Sequence, residues 1–327
     1  MRALVFTGID APAIREVSVP AIGPDDVLVR SQRVGICHSD FELLEGRYII
    51  PFSYPIIPGH EWAGVVEDIG SAVTDLHPGD RVVGECVVGP GGRDHFGFSI
   101  DGGAAEYVRV RGEWLHRIPD SLSWTQAALV EPFSVAYNAT RALGGVDPSD
   151  TVAVLGAGPI GLLSVAAAAA CNARVIIVEP RPERRALARV LGAAAELDPA
   201  DGSFEDGVAE VTDGRGFDAV IEAAGAPAAM AQALRIVGHT GRIAYVGINV
   251  GSTVPSALGL IQSKSLRLQG MIGSPGVWPE AIRVLASGAV DVARIVSATV
   301  PLGDALDALS AARDAATNIK VHIGTDA

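Results

Sequence analysis

The hydrophobic residues of this chain are spaced in two different patterns, and the first pattern covers roughly the first 110 residues. Short apolar runs, such as 27–30, 64–69 and 81–88, alternate there with turns rich in Pro, Gly and Asp. Short strands at close spacing, with turns between them, are typical of a small antiparallel β domain. Near 123–142 the apolar spacing becomes helical, with Ser121 and Ser123 as candidate N-caps.

The second pattern begins at residue 151, where apolar strands alternate with helices. The pattern predicts helices at 182–191 and 227–237, and strands at 219–222, 243–247 and 266–271. Apolar strands that alternate with helices of this length indicate a parallel, doubly wound sheet. After Trp278 the pattern changes again, and the last elements do not extend that sheet. One interpretation is that they return to the first domain.

Residues 151–179 combine a strand, a glycine turn, an Ala-rich helix, a second strand and an acid. Gly156 permits the tight turn after the strand, Gly158 lets backbone approach a pyrophosphate, and Gly161 lets the helix pack closely on the sheet. The helix N-terminus then offers N–H groups and a positive dipole end to phosphates. A Gly-rich turn alone occurs in other α/β units, but the complete arrangement favours a dinucleotide-binding unit.

Glu179 comes roughly 20 residues after the turn, which is the spacing of the acid that holds the adenosine ribose. Its carboxylate favours NAD over NADP, because a 2′-phosphate would be repelled, although the nearby Arg181 could soften that preference. We assign six further residues to the cofactor site: Pro159, Ile160, Arg184, Ala224, Val246 and Ile248.

Composition narrows the possible functions. The 327 residues suit two domains, and a hydrophobic content of 49% supports a sizeable core. The formal net charge of −13 and the sequence pI of about 4.9 argue against nucleic acids and anionic membranes as partners.

Targeting and redox features favour the cytoplasm. No N-terminal signal is visible, and the longest apolar run, 160–171, is too short to span a bilayer. The three cysteines, Cys37, Cys86 and Cys171, are widely spaced and odd in number, so a disulfide framework is not expected.

Two clusters in the first domain carry residues that bind metals. Residues 35–40 read GICHSD and residues 58–64 read PGHEWAG. Cys37, His60 and Glu61 form a candidate catalytic zinc set, because three protein ligands leave one position open for a substrate oxygen. Taken singly, each residue has a simpler interpretation, as a small buried hydrophobe, a loop histidine and a solvated acid.

These clusters are followed by GDRV, DGGAAEYV, VEPFSVA and GAGPIG. In this order the blocks resemble the zinc-dependent medium-chain dehydrogenase/reductase family over essentially the whole chain, and VEPFSV resembles its sorbitol, threonine and polyol dehydrogenase branch. The resemblance implies an α/β fold with two parts. A GroES-like, β-rich catalytic domain would comprise 1–142 and 278–327, and a Rossmann NAD-binding domain with a doubly wound parallel sheet would comprise 143–277. It further implies a cleft that holds zinc, nicotinamide and substrate.

The resemblance also implies roles for single residues. Cys37 and His60 would be zinc ligands. Glu61 would be a ligand, or a nearby carboxylate that exchanges with water, and Glu131 would approach the metal directly or through water. Ser39 would accept the substrate proton. Asp40 would orient a ligand.

Three departures from the family pattern qualify these implications. No further cysteine follows Cys86 where the structural zinc loop should stand, so we expect one catalytic zinc per chain and no structural zinc. Glu42 replaces a relay histidine found in several relatives, which leaves Glu42 or water as the proton route. The Arg–Tyr pair expected near 271–276 is missing, so sorbitol itself is not assured.

The sequence therefore predicts a zinc-dependent, NAD-linked dehydrogenase for a secondary hydroxyl on a small polyol, sugar, cyclitol or amino alcohol. By resemblance it would form a homodimer or homotetramer, through sheet extension near 243–255. One alternative is a zinc-free, NADPH-dependent quinone or enone reductase of the same superfamily, against which the cysteine and the GHE block argue. Another is a non-catalytic cofactor-binding protein, against which the intact ligand set with Ser39 argues.

Overall fold

The computed structural model describes residues 1–325, whose contacts divide the chain into two compact units. The first unit contains Met1–Glu131, Trp278–Ala286 and the chain from Ala293 onward. The second contains Pro132–Val277 and Ser287–Val292. No helix among residues 1–325 is both long and apolar enough to cross a membrane.

The elements up to the second unit are, in chain order, β1 (Arg2–Phe6), β2 (Pro12–Glu16), β3 (Asp26–Gly35), α1 (His38–Leu44), β4 (Glu61–Ile69), β5 (Arg81–Gly84), β6 (Val87–Val88), β7 (Asp94–His95), β8 (Tyr107–Arg111), β9 (Leu115–Arg117), α2 (Trp124–Ala128) and α3 (Val130–Ala142). Those that follow are β10 (Thr151–Leu155), α4 (Pro159–Ala170), β11 (Arg174–Val178), α5 (Pro182–Val190), β12 (Ala195–Leu197), α6 (Phe204–Val211), β13 (Phe217–Glu222), α7 (Pro227–Ile236), β14 (Val237–Tyr245), α8 (Gly259–Ser263) and β15 (Arg267–Gly270). The chain ends with α9 (Trp278–Ala286), β16 (Val296–Pro301), α10 (Ala305–Arg313) and β17 (Lys320–Gly324).

The main sheet of the first unit joins both ends of the chain. Its strand order is β16-β17-β3-β4-β5-β9, and β8 also pairs with β3. Most neighbours are antiparallel, as the short strands and close turns predict, whereas β16 and β17 run parallel. Because β17 pairs with β3, the elements after Trp278 do return to the first unit. Buried residues of β1, β3 and β4 build the core beneath this sheet.

The sheet of the second unit is parallel throughout, with the order β12-β11-β10-β13-β14-β15. Strands β10 and β11 are almost entirely buried, which requires cover on both faces of the sheet. The order reverses between β10 and β13, and ligands of doubly wound sheets bind at the carboxyl ends of the strands near such a point. The predicted fold class, a GroES-like β-rich part with a Rossmann parallel sheet, is confirmed.

Some predicted elements differ in their limits. The helix expected over 123–142 breaks at Leu129 into α2 and α3, with Ser123 as the N-cap of α2. The single strand expected at 81–88 is divided into β5, which pairs with β9, and β6, which pairs with β7. Sheet extension near 243–255 cannot use β14, which is paired on both sides, because the edge strands of this sheet are β12 and β15. Oligomerisation itself stays a prediction.

Candidate active site

The two clusters predicted to bind metal meet at the ends of neighbouring strands. Cys37 lies between β3 and α1, whereas His60 immediately precedes β4 and Glu61 begins it. Strands β3 and β4 pair antiparallel, with Gly35 opposite Glu61. One ligand atom from each of Cys37, His60 and Glu61 lies within 4.8 Å of the other two. The structure therefore brings together the three side chains of the candidate zinc set.

Gly35 is required by the packing around Glu61. A Cβ atom at Gly35 would lie 2.1 Å from Oε2 of Glu61 and 3.2 Å from its Cβ. Because even the smallest side chain would collide, the carboxylate can occupy this position only beside a glycine. The first residue of the GICHSD block thus has a steric role.

Asp40 links the backbone of Cys37 to the ring of His60. Its Oδ2 accepts a hydrogen bond from Cys37 N at 2.8 Å, and its Oδ1 lies 3.8 Å from His60 Nδ1. Burial raises the pKa of Asp40, and the charge of His60 opposes that rise. Burial lowers the pKa of His60, but a hydrogen bond with Cys37 and nearby negative charges outweigh it and raise this pKa to about 10.

An aromatic cluster supports His60 from the segment where a structural zinc loop was expected. The ring of Phe98 lies 5.2 Å from that of His60, and Tyr48 stacks on Phe98 at 4.5 Å. Phe96 packs edge-on against Trp62 at 6.0 Å. Apolar packing thus holds this segment, and burial raises the pKa of the Cys86 thiol well above its usual value. One zinc per chain without a structural ion stays a prediction.

Glu131 adds a further carboxylate to this environment. It is buried in the first turn of α3. Burial raises the pKa of Glu131 to about 7. The charge of His60 opposes this rise and that of Glu61 reinforces it, whereas the role of Glu131 as a metal ligand, direct or through water, stays a prediction.

Lys320 was missed by sequence reasoning. Its ammonium donates to Glu61 Oε1 at 2.6 Å and to the Ile36 carbonyl at 3.0 Å, and it lies 2.5 Å from Glu61 Oε2. The two side chains are only 3% and 2% exposed. The available signal was a lysine within the short run 319–323, which reads IKVHI, in a chain where Lys264 is the other lysine.

The residues proposed for proton transfer occupy different surroundings. Ser39 lies in the first turn of α1, and its Oγ is buried without a hydrogen-bond partner among residues 1–325. Glu42 is partly buried, and its charge acts on Tyr48 and Arg47. The structure gives Ser39 a free hydroxyl, and the route through Glu42 or water stays a prediction.

The glycine turn of the second unit has the expected geometry. Gly156 adopts φ = +90°, and Gly158 is the N-cap of α4, which starts with Pro159 and Ile160. A Cβ at Gly161 would lie 1.9 Å from the carbonyl oxygen of Gly156, so the helix can approach the turn only with glycine there. Phosphate binding at the N-terminus of α4 stays a prediction.

Glu179 connects the second strand of this unit to the turn. Its Oε2 accepts from Ala157 N at 2.8 Å, and its Oε1 accepts from Arg181 N at 3.1 Å. Arg184 is buried and donates to the Ala157 carbonyl at 3.4 Å. Burial, followed by the charge of Arg181, lowers the pKa of Arg184. Glu179 and Arg184 thus both border the predicted cofactor turn.

Glu222 is a second group that the sequence did not reveal. At the end of β13, its Oε1 accepts from Ala224 N at 2.9 Å and Gly225 N at 3.0 Å. Its backbone oxygen accepts from Val246 N at 2.9 Å. Burial raises the pKa of Glu222 to about 7. Glu222 therefore ties together the loops that carry Ala224, Val246 and Ile248, the last of which is 51% exposed.

Comparison with known proteins gives matches along the chain. The family model described as alcohol dehydrogenase GroES-like domain matches residues 23–120, and that described as zinc-binding dehydrogenase matches residues 159–287. Sorbitol dehydrogenase of Bacillus subtilis (strain 168) is 33% identical over 332 residues, covering 95% of this chain and 93% of the relative. L-threonine 3-dehydrogenase of Streptomyces coelicolor is 33% identical over 305 residues, covering 87% of each.

Solved structures agree over almost the full length. The 2R,3R-butanediol dehydrogenase of Bacillus subtilis has a TM-score of 0.91 and 30% identity, covering 99% of both chains. A protein of Sinorhizobium meliloti 1021 solved with NADP bound has a TM-score of 0.90 and 32% identity, covering 99% of this chain and 98% of its own.

Proposed function

Because the chain belongs to the zinc-dependent alcohol dehydrogenases of the medium-chain dehydrogenase/reductase family, we propose that it oxidises a secondary hydroxyl to a ketone and transfers the hydride to NAD. The observation that carries this proposal is the convergence of Cys37, His60 and Glu61 within 4.8 Å. A thiolate, an imidazole and a carboxylate suit zinc, and His60 Nδ1 is buried without a hydrogen-bond partner in the described chain. The donor set therefore fits one catalytic zinc.

Zinc held by these residues would supply a Lewis acid that lowers the pKa of the substrate hydroxyl. Ser39 then accepts the hydroxyl proton, since its Oγ is buried and free of other partners in residues 1–325. Asp40 holds the Cys37 backbone and faces His60, so it orients the ligands. Glu42 or water carries the proton onward.

The substrate we propose is a polyol, sugar, cyclitol or amino alcohol. The matched relatives are named for sorbitol, D-arabitol phosphate and L-threonine, and a structural neighbour is named for butanediol. These compounds share a secondary hydroxyl beside a second polar group. The polar side chains of Ser39, Glu42 and Glu131 suit such a substrate better than a long apolar alcohol.

We propose NAD in preference to NADP. Glu179 is buried beside the glycine turn, where its carboxylate would repel a 2′-phosphate. Arg181 lies against Glu179 at 3.4 Å and weakens that repulsion. The NADP-bound neighbour supports a nicotinamide dinucleotide without deciding between the two.

We also propose a homodimer or homotetramer. All four residues of the edge strand β15 are exposed, and the apolar side chains of Leu258, Leu268 and Ile272 are 62%, 38% and 59% exposed. An open edge with apolar neighbours can pair with a second copy. Light scattering on the purified protein measures the state, and a monomer at micromolar concentration would exclude the proposal.

The reaction is tested by initial rates of NADH formation across acyclic polyols, free sugars, inositols, aminocyclitols, threonine and simple secondary alcohols, with NADP in parallel. We expect a preference for one hydroxyl-rich class and for NAD. Turnover of quinones or enones with NADPH, in protein without zinc, would refute the proposal.

A further inference from the structure

Lys320 is a charged group buried beside the candidate metal ligands. Its side chain is 3% exposed, and its ammonium contacts both oxygens of Glu61 and the carbonyl of Ile36, the residue before Cys37. Burying a lysine is costly unless the charge is paired. The partner here is a candidate ligand rather than a bystander, so this contact bears on the metal.

The negative charges around Glu61 explain why a lysine is buried beside it. Once Cys37 ligates as a thiolate, four anionic groups surround a divalent metal: Cys37, Asp40, Glu61 and Glu131. With all four groups ionised, the net charge would be −2 without Lys320 and −1 with it, so a cation beside Glu61 reduces the repulsion among these groups. Burial tends to neutralise Lys320, but the charges of Glu61 and Cys37 keep it protonated and raise its pKa.

The geometry fixes how Lys320 acts. Its ammonium lies 2.6 Å from Oε1 and 2.5 Å from Oε2 of Glu61, so a cation competes with the metal for the carboxylate. The Ile36 carbonyl holds the ammonium in place, and the missing side chain at Gly35 leaves room for the pair. A carboxylate that is also bound to an ammonium donates less electron density to the metal than a free carboxylate does.

We propose that Lys320 is a positioning residue that holds the Glu61 carboxylate partly away from the metal, and so weakens metal binding while keeping a coordination position open for the substrate oxygen. This inference rests on the proposed function, because it requires metal at Cys37 and His60. It adds a group from the last strand, 259 residues from Glu61, to the account of the site.

The test uses cobalt in place of zinc, because the visible spectrum of Co²⁺ reports coordination number and thiolate ligation without turnover. Wild type, Lys320→Met, Lys320→Arg, Glu61→Gln and the double variant Glu61→Gln/Lys320→Met are titrated with Co²⁺. We expect Lys320→Met to bind Co²⁺ at least about tenfold more tightly than wild type, because a positive charge close to a partly buried metal weakens metal affinity by about this factor. The visible absorption of its Co²⁺ complex should weaken, because Glu61 then joins the metal and raises the coordination number. The spectrum of Lys320→Arg should resemble that of wild type.

The double variant decides whether Lys320 acts through Glu61. In the Glu61→Gln background, loss of Lys320 should change Co²⁺ affinity less than about threefold. An equal effect in both backgrounds, or an unchanged spectrum in Lys320→Met, would overturn the inference. If Lys320→Met fails to fold, the Glu61→Gln pair still tests the inference, because a tenfold difference in Co²⁺ affinity between Glu61→Gln and the double variant would show that Lys320 acts without the Glu61 carboxylate and would overturn it; Lys320→Gln then replaces Lys320→Met for the expected gain in affinity.

Cys37→Ser separates failure of this inference from failure of the proposed function. Wild-type protein should show a thiolate–cobalt band that Cys37→Ser lacks. If wild type shows no such band, both the proposed metal site and the inference about Lys320 are wrong. If the band is present but Lys320→Met behaves as wild type, the inference alone falls.

Discussion

Gly35 has no side chain, and the carboxylate of Glu61 occupies the space beside it. Gly35→Ala would place a Cβ 2.1 Å from Glu61 Oε2, so the Glu61–Lys320 pair has to move. We expect zinc affinity to change and the free energy of unfolding to fall by about 1–3 kcal/mol, as for other overpacked sites. Gly8→Ala, where nothing lies within 4 Å of the added Cβ, is the matched control. Denaturant melts and metal titrations that match wild type would contradict the steric role.

Ser39 should act in proton transfer rather than in metal binding. Its Oγ is buried and has no hydrogen-bond partner among the described residues, so removing it breaks no contact of the fold. For Ser39→Ala we expect kcat to fall by about 10² or more, with zinc content and NAD affinity unchanged. Steady-state rates with metal analysis of the same samples measure this. A variant with full kcat would remove Ser39 from the mechanism.

At the scale of elements, we expect Glu222 at the end of β13 to make the stability of the second unit depend on pH. Burial raises its pKa from 4.5 to about 7, so between these values the native state binds more protons than the unfolded state. Its contribution to stability is complete below the unfolded pKa and is lost as pH rises through the folded value. Tyr245, whose pKa burial and the charge of Glu222 raise to about 12, stays neutral in this range.

Glu222→Gln should remove that dependence. The amide keeps an oxygen for the N–H groups of Ala224 and Gly225 but does not titrate. We expect the Tm of wild type, relative to Glu222→Gln, to fall between about pH 5 and pH 8. Exposed Glu210→Gln is the control. A Tm difference that stays constant across this range would show that Glu222 does not titrate as inferred.

Local signals in the sequence predicted most of the elements and both parts of the fold class. The alternating strands and helices after residue 151 gave the parallel sheet, and the glycine spacing located the turn before α4. Cys37, His60 and Glu61 were identified because each stands in a short block whose chemistry is visible locally. Lys320 and Glu222 were missed, since their importance comes from contacts between distant segments and from burial, neither of which a local pattern contains.

For the whole molecule, charge and topology agree with a small-molecule enzyme. With a net charge of −13, we expect no binding to nucleic acid. Strand β17, from the end of the chain, pairs with β3 and supplies Lys320 to the site formed by β3, α1 and β4. Correct assembly of the candidate metal site therefore depends on both ends of the chain.

The most direct test of this account is the zinc content of the purified, active protein, measured alongside Cys37→Ser. We expect about one zinc per chain in wild type, and in Cys37→Ser a loss of both zinc and turnover with NAD affinity nearly intact. Wild-type protein that oxidises alcohols with no zinc, or Cys37→Ser with unchanged turnover, would contradict the proposed metal-dependent mechanism. Two zinc ions per chain would contradict the absence of a structural site.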